Sequence, residues 1–372
     1  MKVLIIANYA KEHINKFHIP TIKAFKDMGW QVDVACNADD EVKYCDHIYN
    51  LPMERNPYRF QTFKAIKQLK EIIKSNNYDV VHCHTYAGKF IGILAAKSFR
   101  KDGLKIVYSA HGFQYYKNAP LYNWLIFMPI DKWLVKNVDL LITSNQEDYE
   151  TAHKYNFNAK NIVKCCGVGI KTDKFDKQIK TKEEVRKELN IPNDAFVLIY
   201  VAELNHNKNQ QMLLKAYKEL ENKIPNLYML LVGPDHYNGK IQNIIKNNGW
   251  MNNIKCLGWR SDIPDLIKAS DVAVPSSYRE GFGLNILEYM YCKIPVVATN
   301  NRGHKETIKD WETGFLVPSN DYELMSQYVL NLYEDNELYT HITENANKIV
   351  DSYKEESIVN QIVNYYFKYL KS

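Results

Sequence analysis

The sequence has no run of about 18 apolar residues, the length that a membrane-spanning helix requires. The apolar run at Val3 to Ile6 is shorter than the core of a signal peptide and lacks a cleavage site, so it predicts a first strand. Asn8 to Lys11 follow without a glycine, which argues against the Gly-x-Gly-x-x-Gly fingerprint of a dinucleotide-dependent oxidoreductase. Seven cysteines are present without a Cys-x-x-Cys pair, which favours reduced thiols and a cytoplasmic setting.

Composition predicts a globular protein of two domains. The chain has 372 residues, of which 46% are hydrophobic and 24% charged, and it is too long for one ordinary core. The net charge of +5 is compatible with an anionic ligand or an anionic membrane surface. No nucleic-acid-binding motif accompanies it, so we expect no nucleic-acid partner.

Alternating strand and helix patterns predict an α/β fold with two doubly wound, Rossmann-like domains. Residues 8–17 are expected to form a polar loop, and residues 167–175 break the alternation as a connector. The predicted domains are 1–175, 176–352 and a terminal helix at 353–372. Ligands bind such sheets at the carboxyl ends of their strands, so the expected site is a cleft between the two domains. The predicted strands are 3–7, 31–36, 78–84, 105–110, 139–144, 196–201, 227–232, 255–257, 272–274, 296–299 and 315–317, and the predicted helices of the first domain include 64–73, 88–99 and 124–135.

Residues 276–288 are the stretch around which the chain is organised. They follow a buried strand, carry Gly281 and Gly283, and lead into a helix expected at 286–293. Glycines let backbone amides approach a ligand, and a helix N-terminus is an anion site. Glu280 lies in the loop and Glu288 about one turn into the helix. Taken singly, a Gly-x-Gly is common in turns and a helical Glu is usually a solvated surface group.

The order of residues around this stretch resembles the retaining glycosyltransferases of family 4, which have a Glu-x7-Glu signature. The resemblance implies the GT-B fold, with a first domain that binds the acceptor, a second that binds the nucleotide-sugar, and a C-terminal helix that crosses back to the first domain. The matching positions are Ser270-Asp271, Pro275-Ser276, Glu280-Gly281, Glu288, residues 294–298, Gly303, Glu306 and Gly314.

The resemblance also implies roles for the residues of this loop. Glu288 would accept hydrogen bonds from the ribose hydroxyls, and Glu280 would lie near the transferred sugar. The backbone amides of Phe282, Gly283 and Leu284 would hold sugar hydroxyls and the distal phosphate, with help from the helix dipole. Asn285 is expected to assist there.

Three further residues match positions near the reacting centre or the nucleotide. Lys208 would clamp the diphosphate, although Glu203 stands where many members have an arginine, which puts a two-cation clamp in doubt. Arg260 follows a strand end and would meet the base or a phosphate, or would simply be solvated. His111 would hydrogen-bond the donor sugar, although a lone histidine is more often structural.

His82-Cys83-His84 suggests a zinc site, because both residue types bind zinc. In a strand, however, the two histidines share a face and the cysteine points away, so these three cannot converge and zinc is rejected. No Asp-x-Asp motif is evident. The resemblance therefore implies a reaction without a metal or other cofactor, with retention at the anomeric carbon and no carboxylate nucleophile.

Two segments, 53–74 and 115–136, interleave basic residues with aromatic ones such as Tyr58, Phe63, Tyr115 and Trp133. This pattern suits peripheral docking on an anionic membrane; the alternative is one solvated helix and one core helix. Motifs at 81–85, 108–113, 123–125 and 131–134 resemble a bacterial branch that builds capsule, exopolysaccharide or O-antigen units on undecaprenyl diphosphate. The resemblance implies a lipid-linked saccharide acceptor, a UDP-hexose or UDP-N-acetylhexosamine donor, and a location on the inner face of the plasma membrane.

Two alternatives remain at this point. A sugar-nucleotide epimerase has a similar two-domain fold, but its own set of acids and histidines is expected in place of Glu280 and Glu288. A non-catalytic carbohydrate-binding protein would retain much of the fold. The presence of Glu280, Glu288, Lys208 and His111 together argues against the latter.

Overall fold

The computed structural model describes residues 1–56, 59–117, 119–177 and 179–370. It divides into two compact units, the first formed by Met1–Gly169 with Glu355–Ser372 and the second by Ile170–Lys354. The boundaries predicted from the sequence lie between residues 175 and 176 and between residues 352 and 353. Tyr58, one of the aromatic residues of the predicted docking segments, lies outside the described residues, as do Pro57 and Asn118 in the same segments.

A seven-stranded parallel sheet forms the centre of the first unit, in the order β3-β2-β1-β4-β5-β6-β7. β1 is buried along almost its whole length, as expected for a strand covered on both faces. The strands are β1 (Lys2–Tyr9), β2 (Gln31–Asn37), β3 (His47–Asn50), β4 (Val80–Cys83), β5 (Lys105–Ala110), β6 (Leu140–Thr143) and β7 (Asn161–Lys164).

Helices cover this sheet, and one of them comes from the C-terminal end of the chain. The helices are α1 (Ile19–Asp27), α2 (Phe60–Asn76), α3 (Tyr86–Ala96), α4 (Leu121–Val135), α5 (Gln146–Lys154) and α14 (Glu355–Tyr369). α14 packs against α1, and Tyr366 of α14 is fully buried between Phe25 and His82. The prediction that a terminal helix returns to the first domain is therefore confirmed.

The predicted loop at 8–17 is wrong. Lys2–Tyr9 continues the first strand, and Ala10–His18 forms a π-helix that leads directly into α1. The polar composition of this segment suggested a loop, but Ala10, Ile14 and His18 are buried on one side of it. Within the described residues, no helix combines the length and the apolar character needed to cross a membrane.

The second unit has a four-stranded parallel sheet in the order β10-β9-β8-β11 and a two-stranded parallel sheet of β12 and β13. An isolated bridge between Ala273 and Val296 connects the two sheets. Its strands are β8 (Phe196–Val201), β9 (Leu227–Val232), β10 (Ile254–Gly258), β11 (Val272–Ala273), β12 (Val297–Thr299) and β13 (Phe315–Val317).

The Glu-x7-Glu stretch of the second unit, residues 280–288, lies in the loop that follows β11 and in the helix α11 that comes after it. The predicted helix at 286–293 is shifted, because helix α11 runs from Leu284 to Tyr291 and Lys293 has a left-handed backbone with φ of 57°. The helices are α6 (Asp173–Asp176), α7 (Lys182–Glu188), α8 (Gln210–Leu220), α9 (Lys240–Asn247), α10 (Ile263–Lys268), α11 (Leu284–Tyr291), α12 (Tyr322–Glu334) and α13 (Asn336–Val350).

Candidate active site

The loop between β11 and α11 turns sharply at Gly283, which precedes the first residue of the helix. Its φ of 82° is a left-handed conformation that glycine adopts without steric cost. A Cβ at this position would also lie 3.2 Å from Cδ2 of His304. The first amides of α11, which include that of Leu284, have no carbonyl earlier in the helix, so this end of α11 can receive an anion.

Lys208 and Glu280 form an ion pair in front of this helix. Lys208 Nζ lies 2.6 Å from Glu280 Oε1, and the two side chains are only 21% and 17% exposed. Burial raises the pKa of Glu280, but the charges of Lys208 and His304 and hydrogen bonds from Lys208 and Ser277 lower it further, and the net pKa is below the usual value. Glu280 is therefore a carboxylate at neutral pH.

Hydrogen bonds to backbone carbonyls connect the loop that carries Lys208 to the loop that carries Glu280. Ser276 donates its hydroxyl to the carbonyl of Lys208 at 2.8 Å. The amide of Tyr278 donates to the carbonyl of Asn207 at 2.8 Å, and Asn207 Nδ2 donates to the carbonyl of Arg279 at 3.0 Å. The ion pair therefore joins two loops whose relative position is already fixed.

Sequence reasoning missed the contribution of residues 303 and 304. A Cβ at Gly303 would lie 2.6 Å from Cβ of Glu280, so only glycine lets Glu280 approach this closely. His304 is fully buried, and its Nδ1 lies 2.7 Å from the carbonyl of Thr299. Gly303 was part of the motif that carries the resemblance, but no pattern indicated that it lies behind Glu280.

The other predicted site residues of this stretch contact protein groups outside the Lys208–Glu280 pair. Glu288 lies in α11 and pairs with Lys174, with 2.6 Å between Oε1 and Nζ. Asn285 Nδ2 is 3.5 Å from the carbonyl of Val201, at the limit of a hydrogen bond. Phe282 is buried against Tyr353.

Arg260 follows β10 and is engaged by acidic side chains. Its Nε and Nη2 lie 2.8 Å and 2.5 Å from the two carboxylate oxygens of Asp262, and Nη2 is 3.3 Å from Glu188. The hydrogen bond with Asp262 is the main cause that raises the pKa of Arg260. A ligand phosphate would therefore compete with Asp262 for this guanidinium. Glu203 accepts a hydrogen bond from Asn205 Nδ2 at 3.0 Å and is exposed.

His111 lies in the first unit, directly after β5, and is not isolated. Its Nε2 is 3.3 Å from Nδ1 of His84, and the ring of His18 lies 3.9 Å from that of His84 between centroids. Burial lowers the pKa of His18 and His84 well below the usual value. Desolvation also lowers the pKa of His111, to about 4, and this residue is the exposed one of the three.

Comparison with known proteins defines the class of this chain. Residues 181–349 match the family described as glycosyl transferases group 1, and residues 2–145 match the family described as glycosyl transferase 4-like. EpsD of Bacillus subtilis (strain 168), assigned as a glycosyltransferase, is 37% identical over 96% of this chain and 94% of its own length. The chain belongs to the group 1 glycosyltransferase family.

A more distant relative and a solved structure narrow the comparison. The UDP-Gal:alpha-D-GlcNAc-diphosphoundecaprenol alpha-1,3-galactosyltransferase of Escherichia coli is 28% identical over 84% of this chain and 81% of its own. Anabaena HepE, solved in complex with UDP and glucose, is 21% identical and aligns with a TM-score of 0.80 over 99% of this chain and 100% of its own. This likeness confirms the predicted GT-B fold.

Proposed function

We propose that this glycosyltransferase moves a sugar, with retention and without a metal ion, from a UDP-hexose or UDP-N-acetylhexosamine to a lipid-linked saccharide in bacterial surface polysaccharide synthesis. The observation that carries the proposal is the Lys208–Glu280 ion pair at the N-terminal end of α11. The name of the Escherichia coli relative supports the acceptor class, and the UDP in the HepE complex supports the donor class.

In this proposal, the second unit stabilises the departing diphosphate. The Lys208 ammonium and the first amides of α11 face the charge that develops on the leaving oxygen. Glu280 holds Lys208 in place and accepts a hydrogen bond from a hydroxyl of the transferred sugar. Glu288 gives up its ion pair with Lys174 and accepts hydrogen bonds from the ribose hydroxyls. The acceptor oxygen attacks the anomeric carbon from the face that the diphosphate leaves, the bond from that carbon to the diphosphate breaks, and the hydroxyl proton passes to the departing phosphate oxygen. His111 keeps the role at the donor sugar that the resemblance implies.

Release of UDP from a panel of UDP-sugars tests this proposal, with and without a lipid-linked acceptor and with EDTA present. We expect acceptor-dependent release from one donor that EDTA does not reduce, and a raised KM for that donor in Glu288→Gln. Glu337→Gln, an exposed carboxylate of α13, is the matched control.

The same assay separates the alternatives. Conversion of the donor into an epimer without free UDP would support a sugar-nucleotide epimerase. Donor binding without release or epimerisation, in the presence of an acceptor used by a control enzyme, would support a non-catalytic carbohydrate-binding protein.

We propose further that the first unit docks on the inner face of the plasma membrane through α2 and α4, which both pack against α3. Phe60 is 87% exposed and Leu125 is 67% exposed, and lysines such as Lys64 and Lys132 accompany them. Basic residues with exposed aromatic and aliphatic side chains favour an anionic interface. We define the docking face by its exposed apolar residues Phe60, Phe63, Leu121, Tyr122, Leu125, Ile126 and Trp133.

The docking face is narrower than the sequence indicated. Tyr115 is fully buried and donates its hydroxyl to Asp131 at 3.0 Å, so it takes no part in docking. Trp124, Phe127 and Met128 are partly buried against the core of the first unit. The second segment is thus a core helix on one side and an exposed apolar surface on the other.

Sedimentation with vesicles tests the docking face. The double variant Phe63→Ser/Leu125→Ser should bind phosphatidylglycerol vesicles at least about 100-fold more weakly, because each apolar side chain contributes about 1.5–3 kcal/mol when fully buried. Met251→Ser, which removes an exposed apolar side chain of the second unit, should bind normally. Equal binding of both variants would contradict the docking proposal.

A further inference from the structure

Three histidines from separate segments of the first unit converge at the carboxyl ends of β4 and β5. They are His18 at the end of the π-helix, His84 after β4 and His111 after β5. One ring nitrogen of each lies within 4.8 Å of those of the other two. We propose that His18, His84 and His111 bind a zinc ion.

The spacing of the ring nitrogens is close to that of a zinc site. Zinc–nitrogen bonds of about 2.0–2.1 Å in a tetrahedral site place two ligand nitrogens about 3.4 Å apart. His84 Nδ1 and His111 Nε2, at 3.3 Å, already have this separation. The His18 nitrogen lies within 4.8 Å of both, so it has to come at most about 1.4 Å closer to complete the set. Binding replaces the hydrogen bond between His84 and His111, and the ring that donated it takes its other neutral tautomer.

The environment favours the form of imidazole that ligates metals. A neutral ring nitrogen is the ligand, and the side chains of His18 and His84 are buried, away from the water that would stabilise a protonated ring. His111 retains solvent-exposed surface, so a fourth coordination position on this side can take water.

The backbone beside the cluster has two unusual features. Thr85, directly after His84, has φ of 62° and ψ of 166°, a region that β-branched residues rarely adopt. Its hydroxyl contacts Asn8 Oδ1 at 2.5 Å, which helps hold this conformation. The π-helix that ends at His18 is also rare, and such turns are frequent at functional sites. Both features orient the histidines that would bind the ion.

The neighbouring His82 is not a fourth ligand. Its Nε2 lies 2.8 Å from Ser109 Oγ and its Nδ1 lies 2.7 Å from the hydroxyl of Tyr366, so both ring nitrogens are occupied. The proposed site therefore takes only His84 from the His82-Cys83-His84 motif.

Zinc at this site has a consequence for activity that rests on the proposed function. That function gives His111 a role in sugar transfer, and a bound zinc ion would occupy a ring nitrogen of this histidine. Micromolar zinc should then inhibit sugar transfer, and EDTA should restore it. Binding of the ion itself is independent of that function.

Equilibrium dialysis of EDTA-stripped full-length protein against zinc tests the site. We expect one zinc ion per chain, and affinity lowered at least about 100-fold in His84→Asn and His18→Asn, since even the loss of an outer-sphere partner costs 10- to 100-fold. His341→Asn, an exposed histidine of α13, is the matched control and should bind normally. Unchanged affinity in His84→Asn, or no bound zinc at about 10 μM free zinc, would overturn the proposal.

Cobalt provides a second readout that needs no variant. Co2+ in the native protein should give the strong visible absorption of a four-coordinate site, and zinc should abolish it. A weak six-coordinate spectrum would overturn the proposal even if the variants fail to fold. Zinc binding by a protein that transfers no sugar even after EDTA has removed the zinc would support the site and contradict the proposed function, whereas an active protein that binds no zinc would do the reverse.

Discussion

The carboxyl ends of the strands carry different chemistry in the two units. In the second unit, Lys208 and Glu280 form a charged pair that hydrogen bonds hold in place. In the first unit, His18 and His84 are buried and their pKa is lowered, so they carry no charge at neutral pH. Two related parallel-sheet architectures thus offer one site suited to an anion and one suited to neutral groups or a metal, because the loops and not the sheets set the chemistry.

Removal of Lys208 should produce the largest loss of activity, because it removes the positive charge of the Lys208–Glu280 ion pair in the second unit. Lys208→Met should lower kcat by about 100- to 1,000-fold, the usual cost of losing a group that stabilises charge in the transition state. Single-turnover measurement of UDP release checks this. Lys218→Met, an exposed lysine of α8, should be unaffected, and equal rates in both variants would remove Lys208 from the reaction.

Gly303→Ala should disturb the charged pair without removing either charge. Gly303 has φ of −79°, which alanine tolerates, so the change acts through the added Cβ, which would lie 2.6 Å from Cβ of Glu280. Displacement of Glu280 should lower kcat/KM by about 10- to 100-fold. Lys305→Ala, at an exposed neighbouring position, is the control. Near-native activity of Gly303→Ala would mean that the position of Glu280 is not critical.

The smallest expected effect is the pH dependence of stability. The pKa of Glu280 is lower than that of an unfolded glutamate, which is about 4.3, so its contribution is present above that pH and is lost as the pH falls through the folded-state pKa. Lys208→Met removes the charge and the hydrogen bond of Lys208, which leaves only His304 and Ser277 to oppose the rise in pKa that burial causes. The urea midpoint should therefore fall less between about pH 6 and pH 4 in Lys208→Met than in the native protein. An equal fall in both would show that the pair does not set this pKa.

The strands could be predicted closely because most are continuous apolar runs. Residues 105–110, 196–201, 227–232 and 315–317 were predicted with the bounds that the structure has. His47–Asn50 and Asn161–Lys164 were missed because they are short and polar in composition. Their strand conformation comes from pairing with β2 and β6, which local pattern does not report.

The site could be predicted only where one motif carried it. The loop from Glu280 to Glu288 is continuous in sequence, and spacing alone placed both carboxylates around a helix start. The contact of Gly303 with Glu280 depends on how the loop after β12 returns to the site. The convergence of His18, His84 and His111 depends on the sheet order, in which β4 lies beside β5. It also depends on the π-helix that ends at His18, which was not predicted because the segment is polar in composition.

The return of α14 to the first unit has a consequence for biosynthesis. The buried hydroxyl of Tyr366 contacts His82 Nδ1, and α14 packs on α1, so the first unit needs residues that are translated after the whole second unit. During synthesis, the first seven strands emerge while the groove for α14 is still open. Apolar side chains such as Phe25 and Trp30 then lack their contacts with Tyr366 until that residue has been synthesised, and this is the period in which chaperones would bind the chain.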